Sequence, residues 1–100
     1  MRYVIGSAVE IISEVDVVVG ITMTLDKLID PNGVSIFDED TDSNGQSMAF
    51  SDASNTLAAS VIWQSTIGTH ALGRYTYFTK ATNSINNNYA EGHFYLKGKT

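Results

Sequence analysis

The chain has 100 residues, 43% hydrophobic and 17% charged, with one proline and no cysteine. That is a single-domain length, residues 1–100, with enough apolar content for one core. It excludes a disulfide framework, a zinc knuckle and thiol catalysis. Six basic against 11 acidic residues give a net charge of −5, which opposes a phosphate-binding surface and argues against nucleic acid as a partner.

Met1-Arg2-Tyr3-Val4-Ile5-Gly6 has no charged lead followed by a long apolar run, so no signal peptide is expected. Apolar runs such as Val17-Val18-Val19 are far too short to span a bilayer, so no membrane is expected either. Residues 3–16 form two extended pieces separated by Gly6-Ser7, with Val9, Ile11 and Val15 on one face and Ser13 interrupting it. Residues 17–25 alternate cleanly, with Val17, Val19, Ile21, Met23 and Leu25 against Val18, Gly20, Thr22, Thr24 and Asp26, which predicts a strand with Asp26 on its outer face. A helical turn over residues 25–29 competes, but Pro31 cuts it off and the β-branched residues upstream favour the strand.

Asp30-Pro31-Asn32-Gly33 is a turn signal, and residues 34–37 return as the second arm of a hairpin. Residues 38–54 are polar and hold at most one short strand, near Met48-Ala49-Phe50. Residues 57–64 alternate Leu57, Ala59, Val61 and Trp63 against Ala58, Ser60, Ile62 and Gln64. After a turn at Gly68, residues 73–81 place Tyr75, Tyr77, Thr79 and Ala81 on one face and Arg74, Thr76, Phe78 and Lys80 on the other. An Asn-rich tip over residues 83–88 leads to the last strand, with Ala90, Gly92, Phe94 and Leu96 against Glu91, His93, Tyr95 and Lys97. About seven short strands without a convincing helix predict an all-β sandwich or small barrel, and the lone Trp and Tyr-rich late strand favour the sandwich. The expected core is Val9, Ile11, Val19, Ile21, Met23, Ile36, Val61, Trp63, Tyr75, Tyr77, Phe94 and Leu96.

Leu72-Gly73-Arg74-Tyr75-Thr76-Tyr77 resembles the corner leading into a late strand of immunoglobulin-like domains. The resemblance implies a single antiparallel Ig-like β-sandwich, with Tyr75 in the corner role, Tyr77 at the following core position, and Gly73 and Trp63 as further structural residues. Trp63 lies too close to Tyr75 for the antibody spacing, which places it on the preceding strand. More narrowly, residues 6–15, Asp30-Pro31-Asn32-Gly33, residues 73–77 and Ala90-Glu91-Gly92-His93-Phe94 resemble, in order, small accessory or adaptor proteins of tailed phages. That resemblance implies a non-enzymatic virion component of head, neck or tail, docked on other virion proteins or on copies of itself and located in the virion.

Asp40-Thr41-Asp42-Ser43-Asn44-Gly45 fits the first half of a calcium loop, with Asp40, Asp42 and Asn44 as ligands. Its twelfth position is Ser51 where a bidentate Glu is expected, and the competing reading is a solvated acidic connection of Asx-turns. His70 and His93 have no zinc spacing and read as exposed, uncoordinated imidazoles. No nucleophile elbow or phosphate loop is present, so no enzymatic activity and no cofactor beyond calcium is expected. If the last two strands pair, Arg74, Phe78, Lys80, His93, Tyr95 and Lys97 share one outward face, suited to a protein interface. The alternative reading is a carbohydrate-binding or adhesion module, calcium-dependent or not, in which that face stacks sugars.

Overall fold

The computed structural model describes residues 1–14, 21–50, 58–82 and 86–99. It is an all-β domain, with eight strands and one short helix among the described residues. The order is β1 (Arg2–Val4), β2 (Ala8–Glu14), β3 (Thr22–Ile29), β4 (Ser35–Asp38), α1 (Glu39–Asp42), β5 (Gln46–Phe50), β6 (Ala58–Gln64), β7 (Gly73–Thr82) and β8 (Asn87–Lys97). Hydrogen bonding runs β1-β8-β7-β3-β5-β6-β2, with β4 pairing β3 alongside β5. The path curls on itself like a barrel wall. Its two end strands approach where the Tyr3 hydroxyl donates to the Glu10 carbonyl, and across the core the Ser13 and Thr79 hydroxyls share a hydrogen bond of 2.8 Å.

The sheet is mixed. β1 runs parallel to β8, with Arg2 opposite Tyr95 and Val4 opposite Lys97, which corrects the expectation of purely antiparallel strands. β1 and β2 are joined by only the short Ile5-Gly6-Ser7 turn, and that turn sends them to opposite ends of the path. Gly6 adopts φ +93, and Ser65, at the end of β6, locks the turn by donating from its hydroxyl to the Ser7 carbonyl and accepting from the Gly6 N–H.

β5 passes the hydrogen bonding from one side of the molecule to the other. Met23, Thr24 and Leu25 of β3 pair with its first half, and Ala59 and Ser60 of β6 with its second. In β3 the register against β7 slips between Leu25 and Lys27, so Asp26 is an extra, bulged residue. The bulge inverts the alternation. Met23 and Leu25 face inward before it and Leu28 after it, all fully buried. That is why Leu25 and Leu28 imitate a helical spacing in the sequence while the chain remains a strand to Ile29. The β3–β4 hairpin forms as expected, with the Asp30 carboxylate accepting from the Asn32 and Val34 N–H groups.

Most of the expected core is buried: Val9, Ile11, Met23, Trp63, Tyr75, Phe94 and Leu96 fully, and Ile21, Ile36, Val61 and Tyr77 in part. Val19 lies outside the described residues. Ile5, Leu25, Leu28, Met48 and Ala59 complete the core. Ser13 does not interrupt β2 but continues its inward face, because Thr79 supplies its hydrogen bond. Two further expectations are corrected. Residues 39–42 form a helical turn that Asp38 caps, and Asn87 and Asn88 are not part of a loop tip but the start of β8, opposite Thr82 and Ala81.

Phe94 is the hub of the aromatic core. Its ring stacks on Tyr75 at 5.0 Å and 7°, and meets Trp63, Tyr77 and Tyr3 at 5.9, 6.3 and 6.1 Å. Tyr75 is fully buried, and its hydroxyl donates to the Ala71 carbonyl at 2.8 Å, fixing the turn that enters β7. Gly73 enters that strand at φ +132, where a Cβ would meet the Pro31 ring at 3.0 Å. Tyr75→Phe keeps the ring and strands the carbonyl, so it should lower the unfolding free energy by about 1 kcal/mol, read as a fall of several degrees in Tm with an unchanged m-value. No loss in a denaturant titration would remove the corner from the list of stabilising features.

Candidate functional site: a cationic and aromatic sheet face

The six residues expected to share a face do so. Along β7 and β8, Arg74 stands opposite Tyr95, Thr76 opposite His93, Phe78 opposite Glu91, and Lys80 opposite Tyr89. Side chains of directly paired residues point the same way, so Arg74, Phe78, Lys80, His93 and Tyr95 lie together, with Lys97 one step beyond. Their neighbours on both sides extend the face. β1 contributes Arg2, whose guanidinium lies 5.2 Å above the Tyr95 ring, and β3 contributes Lys27, opposite Phe78. Five of the six basic residues of an acidic protein thus stand on one face.

The face is not uniform. Lys27 pairs with Asp38 at 3.5 Å, and Lys80 lies 3.7 Å from Asp26. His93 sits 3.5 Å from the Glu91 carboxylate and within hydrogen-bond distance of the Thr76 hydroxyl. Half of the face is therefore a mesh of opposite charges. At the β1 end, Arg2, Tyr95 and Arg74 form a row across three strands with Lys97 beside it, and no acidic residue stands in that row. Tyr95 is 38% exposed and Tyr89 56%.

Arg2, Lys27 and Tyr89 were missing from the expected face. Tyr89 falls on the outward parity of the last strand, but a tip over residues 83–88 delays the expected strand past it. Arg2 and Lys27 depend on which strands flank β7 and β8, and no local pattern carries that information.

Asp26 is the unusual carboxyl. The bulge turns it in beside the sheet, where it is 3% exposed, and one of its oxygens has no hydrogen-bond partner. Burial pushes its pKa above the ordinary 3.8; the Lys80 ammonium opposes this and the Asp40 carboxylate adds to it. Asp38 moves the opposite way, chiefly because the Thr41 hydroxyl hydrogen-bonds its carboxylate.

The expected calcium ligands lie on and just past α1. Asp40 and Asp42 are exposed on α1, and the Asn44 side-chain carbonyl accepts from the Asp38 N–H at 2.8 Å. Among the described residues no three His, Cys, Asp or Glu side chains are grouped to hold a metal ion. Ser51 and Asp52 lie outside the described residues. His70 corrects an expectation: it is half-buried, its Nδ1 accepts from the Thr66 N–H at 2.8 Å, and its ring packs on Trp63 at 4.7 Å. It is a structural residue of the β6–β7 connection.

A cleft of about 120 Å³ opens between the β1–β8 edge and β2, lined by Met1, Tyr3, Glu10, Ile12, Tyr77, His93 and Phe94. Ligand pockets run from about 300 Å³ upward, so this cleft is too small for a substrate of ordinary size. No helix among the described residues is long and apolar enough to cross a membrane.

The Asp26 geometry gives a pH dependence. With its pKa raised on folding, the native state holds the proton more tightly, so the contribution of Asp26 is fully present below pH 3.8 and is lost as pH rises through the raised value. Asp26→Asn should flatten that part of the stability–pH curve, while Asp38→Asn should remove a stabilisation that wild type loses on acidification. Chemical denaturation at a series of pH values checks both, and an unchanged Asp26→Asn profile would contradict the burial argument. Compared with known families and structures, the chain matches no protein-family model, no curated protein and no solved structure.

Proposed function

We propose that the chain is a non-enzymatic structural and interaction module that docks on neighbouring proteins through the outer face of β1, β8, β7 and β3. The observation that carries this reading is the exposed Arg2–Tyr95–Arg74 row on an otherwise acidic chain. Aromatic and arginine side chains together are the composition of protein-binding surfaces, where they supply contact area and directional hydrogen bonds at modest entropic cost. A nucleic-acid reading is weaker, because Asp38, Asp26 and Glu91 interleave with the cations over half the face. A membrane reading has no residues behind it.

The immunoglobulin-like arrangement belongs to this proposal. It is supported by the ladder β2-β6-β5 set against β8-β7-β3-β4, by a first strand running parallel to the last, and by the Tyr75 hydroxyl reaching back to Ala71. The resemblance to tailed-phage accessory and adaptor proteins supplies the setting: a small component of head, neck or tail, present in the virion in multiple copies. The coding sequence is then expected among head, neck or tail genes, with the chain found by mass spectrometry in purified particles at a fixed copy number. Mature particles without the chain overturn the virion assignment.

A second reading is favoured by the exposed rings of Tyr89 and Tyr95. Rings standing on one strand of a sheet suit the stacking of sugar faces, so a carbohydrate-binding or adhesion module is the alternative. It predicts a glycan-array signal that Tyr95→Ala abolishes without altering Tm. If that module used calcium at Asp40, Asp42 and Asn44, millimolar Ca²⁺ would raise Tm by mass action. An unchanged Tm would remove calcium from the reading.

A further inference from the structure

The opposite face of the molecule carries the complementary chemistry. On β2, Ala8, Glu10, Ile12 and Glu14 point outward, and their partners on β6 are Gln64, Ile62, Ser60 and Ala58. Glu10 and Glu14 flank Ile12, and Ile62 stands opposite Glu10, diagonal to Ile12. Ile12 is 44% and Ile62 60% exposed, so two large aliphatic side chains stand diagonally in water, Ile12 between two carboxylates and Ile62 beside one. Lys and Arg are absent from β2 and β6. One sheet face therefore presents cations around an aromatic ring, and the other presents anions around an aliphatic pair.

We propose that this protein assembles head to tail, the Arg2–Tyr95–Arg74 row of one copy seated on the Glu10–Ile12–Glu14 row of the next. The proposal rests on the docking function above and names a second copy of this chain as the partner. The spacings suit the pairing. Arg2 and Arg74 lie two strands apart, about 10 Å, and Glu10 and Glu14 lie four residues apart along one strand, about 13 Å. Long side chains bridge that difference, and the isoleucines then cover Tyr95.

One row runs across its strands and the other along them, so matching them crosses the two sheets near a right angle, one of the two preferred sheet packings. Two different faces make the contact heterologous, and it propagates into a ring or a filament instead of stopping at a two-fold dimer. A single contact of this size is weak by itself. Multiple copies held on a common scaffold raise its effective concentration.

Sedimentation velocity of the full chain tests this. The weight-average mass should rise with protein concentration at low ionic strength, and raising salt from about 20 to about 300 mM should weaken association about tenfold, because exposed charges dominate the contact. Arg74→Glu on one face and the double variant Glu10→Gln, Glu14→Gln on the other should each be monomeric, with Arg2→Glu as a substitute for the first if Arg74→Glu lowers Tm. Mixed in equal amounts, the two variants should form a dimer that goes no further, since only one wild-type pair of faces remains.

A wild-type chain that stays monomeric to about 1 mM at low salt overturns the proposal. So does a mixture that remains monomeric while wild type associates, because another surface then makes the contact. Loss of particle incorporation in Arg74→Glu alongside a monomeric wild type would sink self-assembly alone and leave the docking function standing.

Discussion

The position of Phe94 is the constraint on which the rest of the structure depends. It lies directly opposite Tyr75 in the β7–β8 ladder, and the two rings stack nearly parallel. The same ring touches Trp63 on β6 and Tyr3 on β1, so one side chain joins the last strand to both sides of the molecule. Aromatic side chains each bury on the order of 150–250 Å², and in a chain of 100 residues without disulfides such a cluster is a large share of the core. With Phe94 turned inward, strict alternation turns Tyr95 and His93 outward. The candidate face is in this sense the back of the aromatic core.

The Asp26 bulge is the second organising feature. It lets β3 bury Met23 and Leu25 on one side of the slip and Leu28 on the other, keeping apolar contact along the whole strand. The consequence is a carboxylate in a poorly solvated place, tolerated because Lys80 approaches from β7. An ion pair in such surroundings adds little net stability, since desolvation offsets most of the Coulombic gain. Its visible effect is on the face outside. Lys80 is drawn toward Asp26 and Lys27 toward Asp38, and among the described residues the cations outside these pairs stand at the β1 end, around Tyr95.

That segregation is what distinguishes the proposed docking surface from an ordinary sheet exterior. Scattered lysines over aromatic rings serve solubility and cover apolar area. A row of arginines that holds no acidic residue among those described, on a protein of net charge −5, creates a local potential opposite in sign to the whole. The acidic aliphatic face of β2 and β6 supplies the opposite charge on a separate ladder. A molecule built in this way is suited to stacking in one direction.

Much of this was legible in the sequence. Period-two alternation in residues 73–81 and 90–97 assigns Arg74, Phe78, Lys80, His93, Tyr95 and Lys97 to one face, because a strand leaves a side chain only two directions. The turn chemistry of Asp30-Pro31-Asn32-Gly33 and the inward set from Val9 to Leu96 follow from equally local rules. What lay beyond the sequence involves partners distant along the chain. The parallel seat of β1 beside β8 brings Arg2 to Tyr95, and the register slip at Asp26 inverts a pattern that looks unbroken in one dimension. The Ser13–Thr79 hydrogen bond makes a buried serine acceptable, and the Trp63 ring with the Thr66 N–H turns His70 into a packed side chain. Local pattern determined which way each side chain points; tertiary structure alone decided what it meets there, because hydrogen-bond partners and neighbouring charges in a sheet come from strands far apart in the chain.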